Sequence, residues 1–179
     1  MADPALSLRL FFALPLPDEV CRILGRWQRS QGGSARVWCR SEGLHLTLAY
    51  LGARSPDALP GLDDLGHGLA TRHGPFRLQT AGLGGFPSGK AARILWLGLE
   101  PCPDLDALVV DLRSALEAAS EPFDAKPFRP HLTLARFRRP LPIEGLHPPA
   151  PMLIGADRLV LFESRPQEGY VPLKSWPLG

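Results

Sequence analysis

Apolar residues run along this chain in two alternating periods. From Leu6 to Leu14 it is nearly continuous Leu and Phe, closed by Pro15 and Pro17, which predicts a buried strand. Val20, Ile23, Leu24 and Trp27 then recur at helical spacing behind Asp18 as cap, and Gly32-Gly33 ends that helix. Arg36 to Trp38 leads into a strand that reads Leu44-His45-Leu46-Thr47-Leu48-Ala49-Tyr50. Ser55-Pro56-Asp57 opens a weaker helix with Leu59, Leu62, Leu65 and Leu69 on one face and three glycines inside it. Phe76 to Leu83 predicts a strand, and the glycine-rich stretch from Gly82 to Lys90 a mobile loop.

The opening order then returns. Arg93 to Leu99 is an apolar strand closed by Pro101 and Pro103, and a helix capped at Asp104 carries Leu105, Leu108, Val109, Leu112 and Leu116 on one stripe. Phe128-Arg129-Pro130 leads to His131-Leu132-Thr133-Leu134-Ala135-Arg136, and proline biases the residue before it toward extended geometry. The spacing from Phe12 to His45 nearly equals that from Leu97 to His131, so strand, helix and H-L-T-L-A strand occur twice. A repeat of about eighty residues exceeds solenoid periods and predicts two pseudo-symmetric lobes. Arg158 to Glu163 and Tyr170 to Leu173, turning near Gly169, supply closing strands.

On an extended strand His45 and Thr47 share one face, and Leu46 and Leu48 the other; the second copy divides likewise. The leucine faces suit packing against helices, whereas the histidine and threonine faces need water or a ligand. Two such faces brought together make a polar cleft. A single His-x-Thr reads as an ordinary hydrogen-bonded strand residue, but five identical consecutive residues in a chain with five histidines are not explained by packing. His67, His73 and His147 lie among Gly and Pro and read as solvated bystanders.

Composition narrows the chemistry. The 179 residues carry a formal charge of +2, too little to neutralise many phosphates of a long nucleic acid, though a local basic patch is compatible with it. Twenty prolines cluster between the periodic segments and stiffen the loops. Cys21, Cys39 and Cys102 fit neither a disulfide framework nor a zinc cage and read as reduced thiols. No apolar run reaches the roughly 20 residues of a membrane span, and Met1-Ala2-Asp3-Pro4 lacks the features of a secretory signal. Both point to a cytoplasmic protein.

Two imidazoles with ordinary pKa near 6.5 suit paired general acid and base work, and two threonine hydroxyls on the same faces suit a developing anionic oxygen. A phosphate-bearing substrate follows. Acyl transfer lacks a nucleophile elbow, and two histidines without neighbouring carboxylates leave a metal under-coordinated.

With both H-L-T-L-A strands, Arg9-Leu10-Phe11-Phe12-Ala13-Leu14, Arg93-Ile94-Leu95-Trp96-Leu97-Gly98 and Leu159-Val160-Leu161-Phe162-Glu163-Ser164-Arg165 in hand, the sequence resembles the RNA 2′,3′-cyclic phosphodiesterases, also called 2′-5′ RNA ligases, of the two-histidine phosphoesterase superfamily. The resemblance covers almost the whole chain. It implies an α+β fold over residues 1–179, a single domain of two interleaved lobes, whose two antiparallel sheets face each other across a central cleft with helices outside. It implies hydrolysis of RNA 2′,3′-cyclic phosphate ends to 2′-phosphomonoesters without metal or nucleotide cofactor, reversible as 2′-5′ ligation to a 5′-hydroxyl end. His45 matches the family's proton donor, His131 its proton acceptor, and Thr47, Thr133 and Arg136 its phosphate-binding residues. The implied partners are RNA ends bearing a cyclic phosphate, tRNA fragments among them, with no membrane; a monomer is expected. Tyr50 stands where the first copy would have its Arg136, so the half-sites are unequal.

Rival readings are a cyclic phosphodiesterase of small nucleotides and an RNA-end-binding module with little turnover. Intact His and Thr in both copies weigh against the second. Arg129, Arg138 and Arg139 guide RNA or form a solvated face, and Phe11, Phe12, Phe86 and Trp38 stack a base or fill the core.

Overall fold

The computed structural model describes residues 7–32 and 36–179, with the side chain of Arg36 left aside. Leu6, Gly33 and the first four residues, which enter the expectations above, lie outside the described residues. Among the described residues, nine strands and three α-helices follow in the order β1 (Leu8–Pro15), α1 (Asp18–Ser30), β2 (Arg36–Trp38), β3 (His45–Arg54), α2 (Leu59–Ala70), β4 (Phe76–Phe86), β5 (Ala92–Leu99), α3 (Pro103–Ala118), β6 (His131–Leu141), β7 (Leu153–Ala156), β8 (Arg158–Arg165) and β9 (Gly169–Pro177).

The strands form two antiparallel sheets, one ordered β3-β1-β8-β9 and the other β2-β6-β5-β4-β7. Each H-L-T-L-A strand pairs with the apolar strand that precedes its helix: β3 with β1, and β6 with β5. The leucine faces are core. Leu46, Leu48, Leu132 and Leu134 are buried in one continuous apolar cluster with the stripe Leu105, Leu108, Val109, Leu112 and Leu116 of α3. His45, Thr47, His131 and Thr133 are half-buried on the opposite faces. This is the expected α+β arrangement of two sheets.

Pairing register corrects one equivalence. Phe12 opposes Ala49 and Leu95 opposes Ala135, so Leu95 rather than Leu97 is the counterpart of Phe12. Neither Asp18 nor Asp104 caps its helix. Pro17 and Cys102 hold the N-cap positions without a side-chain bond, and the carboxylates sit inside the first turn, where they still complement the helix dipole. The glycine-rich stretch is mostly strand: β4 continues through Gly84 and Gly85 to Phe86, leaving a turn only at 87–91. Glycine is required there because a Cβ on Gly84 would stand 2.1 Å from the Trp96 ring, which lies across the strand. The four-residue β7 was not expected.

Candidate active site

Both histidines open their strands, and a backbone carbonyl two residues earlier fixes each ring. His45 Nδ1 lies 2.7 Å from the Gly43 carbonyl and His131 Nδ1 lies 2.6 Å from the Arg129 carbonyl. A carbonyl can only accept, so each Nδ1 carries a hydrogen and each Nε2 is the nitrogen left for chemistry. The same i−2 contact in both lobes is the duplication expressed in geometry.

Arg136 reaches the cleft through a break in the strand. In ordinary alternation the third residue after Thr133 would point to the leucine face. But Leu95 pairs with Ala135 and Trp96 with Thr133, which leaves Leu134 as a bulge residue. Leu134 and Ala135 are therefore both buried, and Arg136 returns to the exposed threonine face. The first lobe bulges at the equivalent Leu48, between the Phe12–Ala49 and Ala13–Thr47 pairs, and thereby exposes Tyr50. The Leu134 carbonyl, on the β2 side of the strand, is not orphaned. It accepts from Cys39 N at 2.9 Å and from Gln28 Nε2 at 3.1 Å. Gln28 is a buried polar residue of α1, which docks that helix on β6.

His45, Thr47, Thr133 and Arg136 line one hollow of about 310 Å³, together with Arg9 and Tyr50. Arg9 Nη2 donates to the Tyr50 hydroxyl at 2.8 Å. His131 lines the adjoining hollow, which shares Thr47 and Tyr50 with the first. All five sequence-derived residues therefore border one bipartite cleft, with the two histidines on its two sides. Burial pushes the His45 pKa down from its ordinary value. Its bond to Gly43 opposes that shift, and the positive charges of His131 and Arg136 add to it. Burial also pushes His131 down, against its bond to Arg129. Both shifts favour the neutral imidazole in the free protein, and an anion arriving between the two would favour protonation of one.

Aromatic rings wall both histidines, which sequence reasoning found only in part. His45 lies 4.9 Å from Phe11 and 4.7 Å from Tyr170, ring centre to ring centre, and His131 lies 5.1 Å from Phe86 and 6.2 Å from Trp96. Phe11 and Phe86 thus stand at the site, whereas Phe12 is core and Trp38 packs edge-on against Trp27. The signal for Phe11 and Trp96 was register: each stands on a strand paired with the H-L-T-L-A strand of its lobe. Arg129, Arg138 and Arg139 are exposed, and only Arg129 borders the cleft. His67 and His147 are exposed, but His73 is a half-buried partner of Asp111 at 2.9 Å and not a solvated bystander. The three cysteines are free thiols. Among the described residues no cluster of three or more His, Cys, Asp or Glu is placed to hold a metal ion, and no helix is long and apolar enough to cross a membrane.

Known proteins resemble this chain in sequence and fold. An RNA 2′,3′-cyclic phosphodiesterase of Thermus thermophilus is 37% identical over 143 residues, covering 75% of this chain and 71% of the relative. One from Geobacillus stearothermophilus is 30% identical across 94% of this chain, which spans only 56% of that relative's length, and one from Escherichia coli is 29% identical across 99% of both. Among solved structures, a Thermus thermophilus protein superposes with a TM-score of 0.81 at 32% identity, covering 96% of this chain and 98% of that one. Escherichia coli LigT complexed with 3′-AMP also gives a TM-score of 0.81, at 29% identity and the same coverage. The family model of the 2′-5′ RNA ligase superfamily matches residues 16–162, and the chain belongs to that superfamily.

Proposed function

We propose that this protein is an RNA 2′,3′-cyclic phosphodiesterase that opens cyclic phosphate ends to 2′-phosphomonoesters by acid–base catalysis between His45 and His131. The observation that carries the reading is the pair of imidazoles, each held at Nδ1 by a carbonyl two residues back, on either side of a cleft that also holds Thr47, Thr133 and Arg136. The names of the curated relatives support the reaction, and the 3′-AMP bound to LigT supports a nucleotide ligand.

In the proposed step the cyclic phosphate rests between the two threonine hydroxyls, with the Arg136 guanidinium balancing its charge. His131 Nε2 takes a proton from the attacking water, and His45 Nε2, protonated once the anion is bound, gives one to the departing 3′-oxygen. A depressed pKa makes His131 competent as a base below neutral pH and makes protonated His45 a stronger acid. No step is routed through a metal. The same displacement, with an RNA 5′-hydroxyl in place of water, yields a 2′-5′ linkage. The reading extends to the whole chain 1–179 as one domain of two interleaved lobes, a monomer acting in the cytoplasm on RNA ends such as tRNA fragments.

The histidine roles are tested with a phosphodiester bearing an activated phenolic leaving group. That group departs without a proton, so His45→Ala should recover a larger share of the wild-type rate than His131→Ala, whose water still lacks its base. Equal recovery removes the assignment, and greater recovery in His131→Ala reverses it.

A further inference from the structure

The hollow on the His131 side is about 670 Å³, more than twice the volume of the hollow that holds His45, Thr133 and Arg136. A water needs only about 30 Å³, so supplying the hydrolytic nucleophile does not account for it. Its walls are also wrong for water. Phe86, Pro87 and Phe128 face it with apolar surface, while Arg113, Lys126 and Arg129 place cations around it. Asp124 is the opposing charge, and it is tied to Lys126 through the ammonium at 3.0 Å and the backbone N–H at 3.2 Å. The Arg113 guanidinium is fixed beside Phe123 and Phe128, with centres 5.7 and 5.9 Å away, and donates from Nη1 to the Lys126 carbonyl at 3.0 Å. Its Nε is buried and has no hydrogen-bond partner. Rings, cations and an unpaired donor together fit a nucleoside carrying a phosphate.

Which nucleoside follows from the direction of attack. Displacement at phosphorus is in line, so the entering oxygen and the departing 3′-oxygen lie on opposite sides of the phosphate. The departing oxygen belongs to the ribose of the cyclic end, which places that strand on the His45 side. The His131 side is the side of entry.

We infer that the hollow beside His131 is an acceptor seat, which takes the 5′-terminal nucleoside of a second RNA strand and presents its 5′-hydroxyl to the base. The inference rests on the acid and base assignment above. In the step, His131 Nε2 removes the 5′-hydroxyl proton as the new P–O5′ bond forms. The P–O3′ bond breaks, and the 3′-oxygen takes its proton from His45. The product is a 2′-5′ phosphodiester with a free 3′-hydroxyl, and no other reactant is consumed.

The test follows one oligonucleotide with a 2′,3′-cyclic end, incubated with increasing amounts of a second oligonucleotide with a 5′-hydroxyl, and separates hydrolysed from joined product. The joined product should saturate with acceptor. Phe128→Ala and Lys126→Ala, checked for unchanged thermal melting, should lower the ratio of joining to hydrolysis, the former by about tenfold, the scale of one lost base–aromatic stack. Hydrolysis in the absence of acceptor should be retained in both. If Phe128→Ala instead impairs hydrolysis of the oligonucleotide but not of a 2′,3′-cyclic mononucleotide, the hollow holds the body of the cyclic-ended strand and the inference is overturned. A wild-type protein that hydrolyses well but shows no saturable joining also overturns it, while leaving the hydrolase reading intact. Failure of wild-type hydrolysis would instead remove the proposed function itself.

Discussion

Replacing Arg136 by Gln separates two effects that one charge exerts in opposite directions. Arg136 borders the hollow that contains both threonines, so under the proposed mechanism its loss removes a charged donor from the phosphate as the transition state forms. Removing one such donor costs about 2.7–4 kcal/mol, or 10²- to 10³-fold in kcat. Arg136 is exposed, and solvent screening places the expectation at the lower end, about 10²-fold. The same charge holds the His45 pKa down, but as the smallest of four influences, behind burial, the Gly43 carbonyl and His131. Donor loss therefore dominates the rate. The second effect shows in the pH profile of kcat/KM, which reports the free enzyme. With the positive charge gone, the His45 pKa rises, protonated acid persists to higher pH, and the alkaline limb moves upward. The acid limb, which the proposed mechanism gives to His131, should move less, because Arg136 is not among the influences on that group. Arg136→Lys keeps the charge and should keep the limb while losing the guanidinium fork. Steady-state hydrolysis of a cyclic-ended oligonucleotide across the range of both limbs gives all three profiles. An unchanged kcat in Arg136→Gln, or an alkaline limb that is still or moves to lower pH, refutes the reasoning.

Thr47→Val and Thr133→Val should each lower kcat by roughly 10²-fold, the loss of one donor to a developing oxyanion, with thermal melting nearly unchanged because both side chains border the cleft. A melting point that falls while kcat holds would make either threonine structural. Gly84→Ala forces a Cβ into the Trp96 ring beside His131 and should cost about 1–3 kcal/mol of stability and reduce kcat. Gly66→Ala, whose Cβ would meet the Trp176 ring at 2.4 Å away from both hollows, should lower melting alone. Equal kcat losses in the two glycine variants would deny Trp96 a role in placing His131.

What the sequence disclosed was whatever had a period or a repeat. The duplicated H-L-T-L-A strands, their leucine faces and the α3 stripe are such signals, and each appears where expected. Backbone pairing has no such signature. β7 is four residues held to β4 by its ladder, inside a proline-rich stretch without alternation, and β4 reaches Phe86 because its glycines make room for side chains of β5. The walls of the site were obscured for a related reason. Tyr170 and Trp96 read as ordinary strand aromatics, and only sheet register sets them against an imidazole. Gln28 was likewise invisible, since its use depends on a β6 backbone carbonyl far away in sequence.

That bulge also explains how a duplicated fold comes to hold unequal half-sites. Both lobes carry it at the same place, so both turn the third residue after the threonine toward the cleft. A strictly repeated sequence would then put like side chains beside two like imidazoles, with nothing to distinguish an acid from a base. Here one lobe presents Arg136 and the other Tyr50, whose hydroxyl is occupied by Arg9. Arg136 shares a strand with His131, yet the hollow it lines and the imidazole it acts on are those of His45. The charge that separates the two histidines thus crosses from the opposite lobe. Arg9 and Arg136 line the hollow on the His45 side, Arg113, Lys126 and Arg129 line the one on the His131 side, and aromatic rings stand beside both imidazoles. The proposed proton-transfer roles come from the resemblance to the family; what the structure adds is a charge, Arg136, that acts on His45 and not on His131, two histidines whose local backbones are alike.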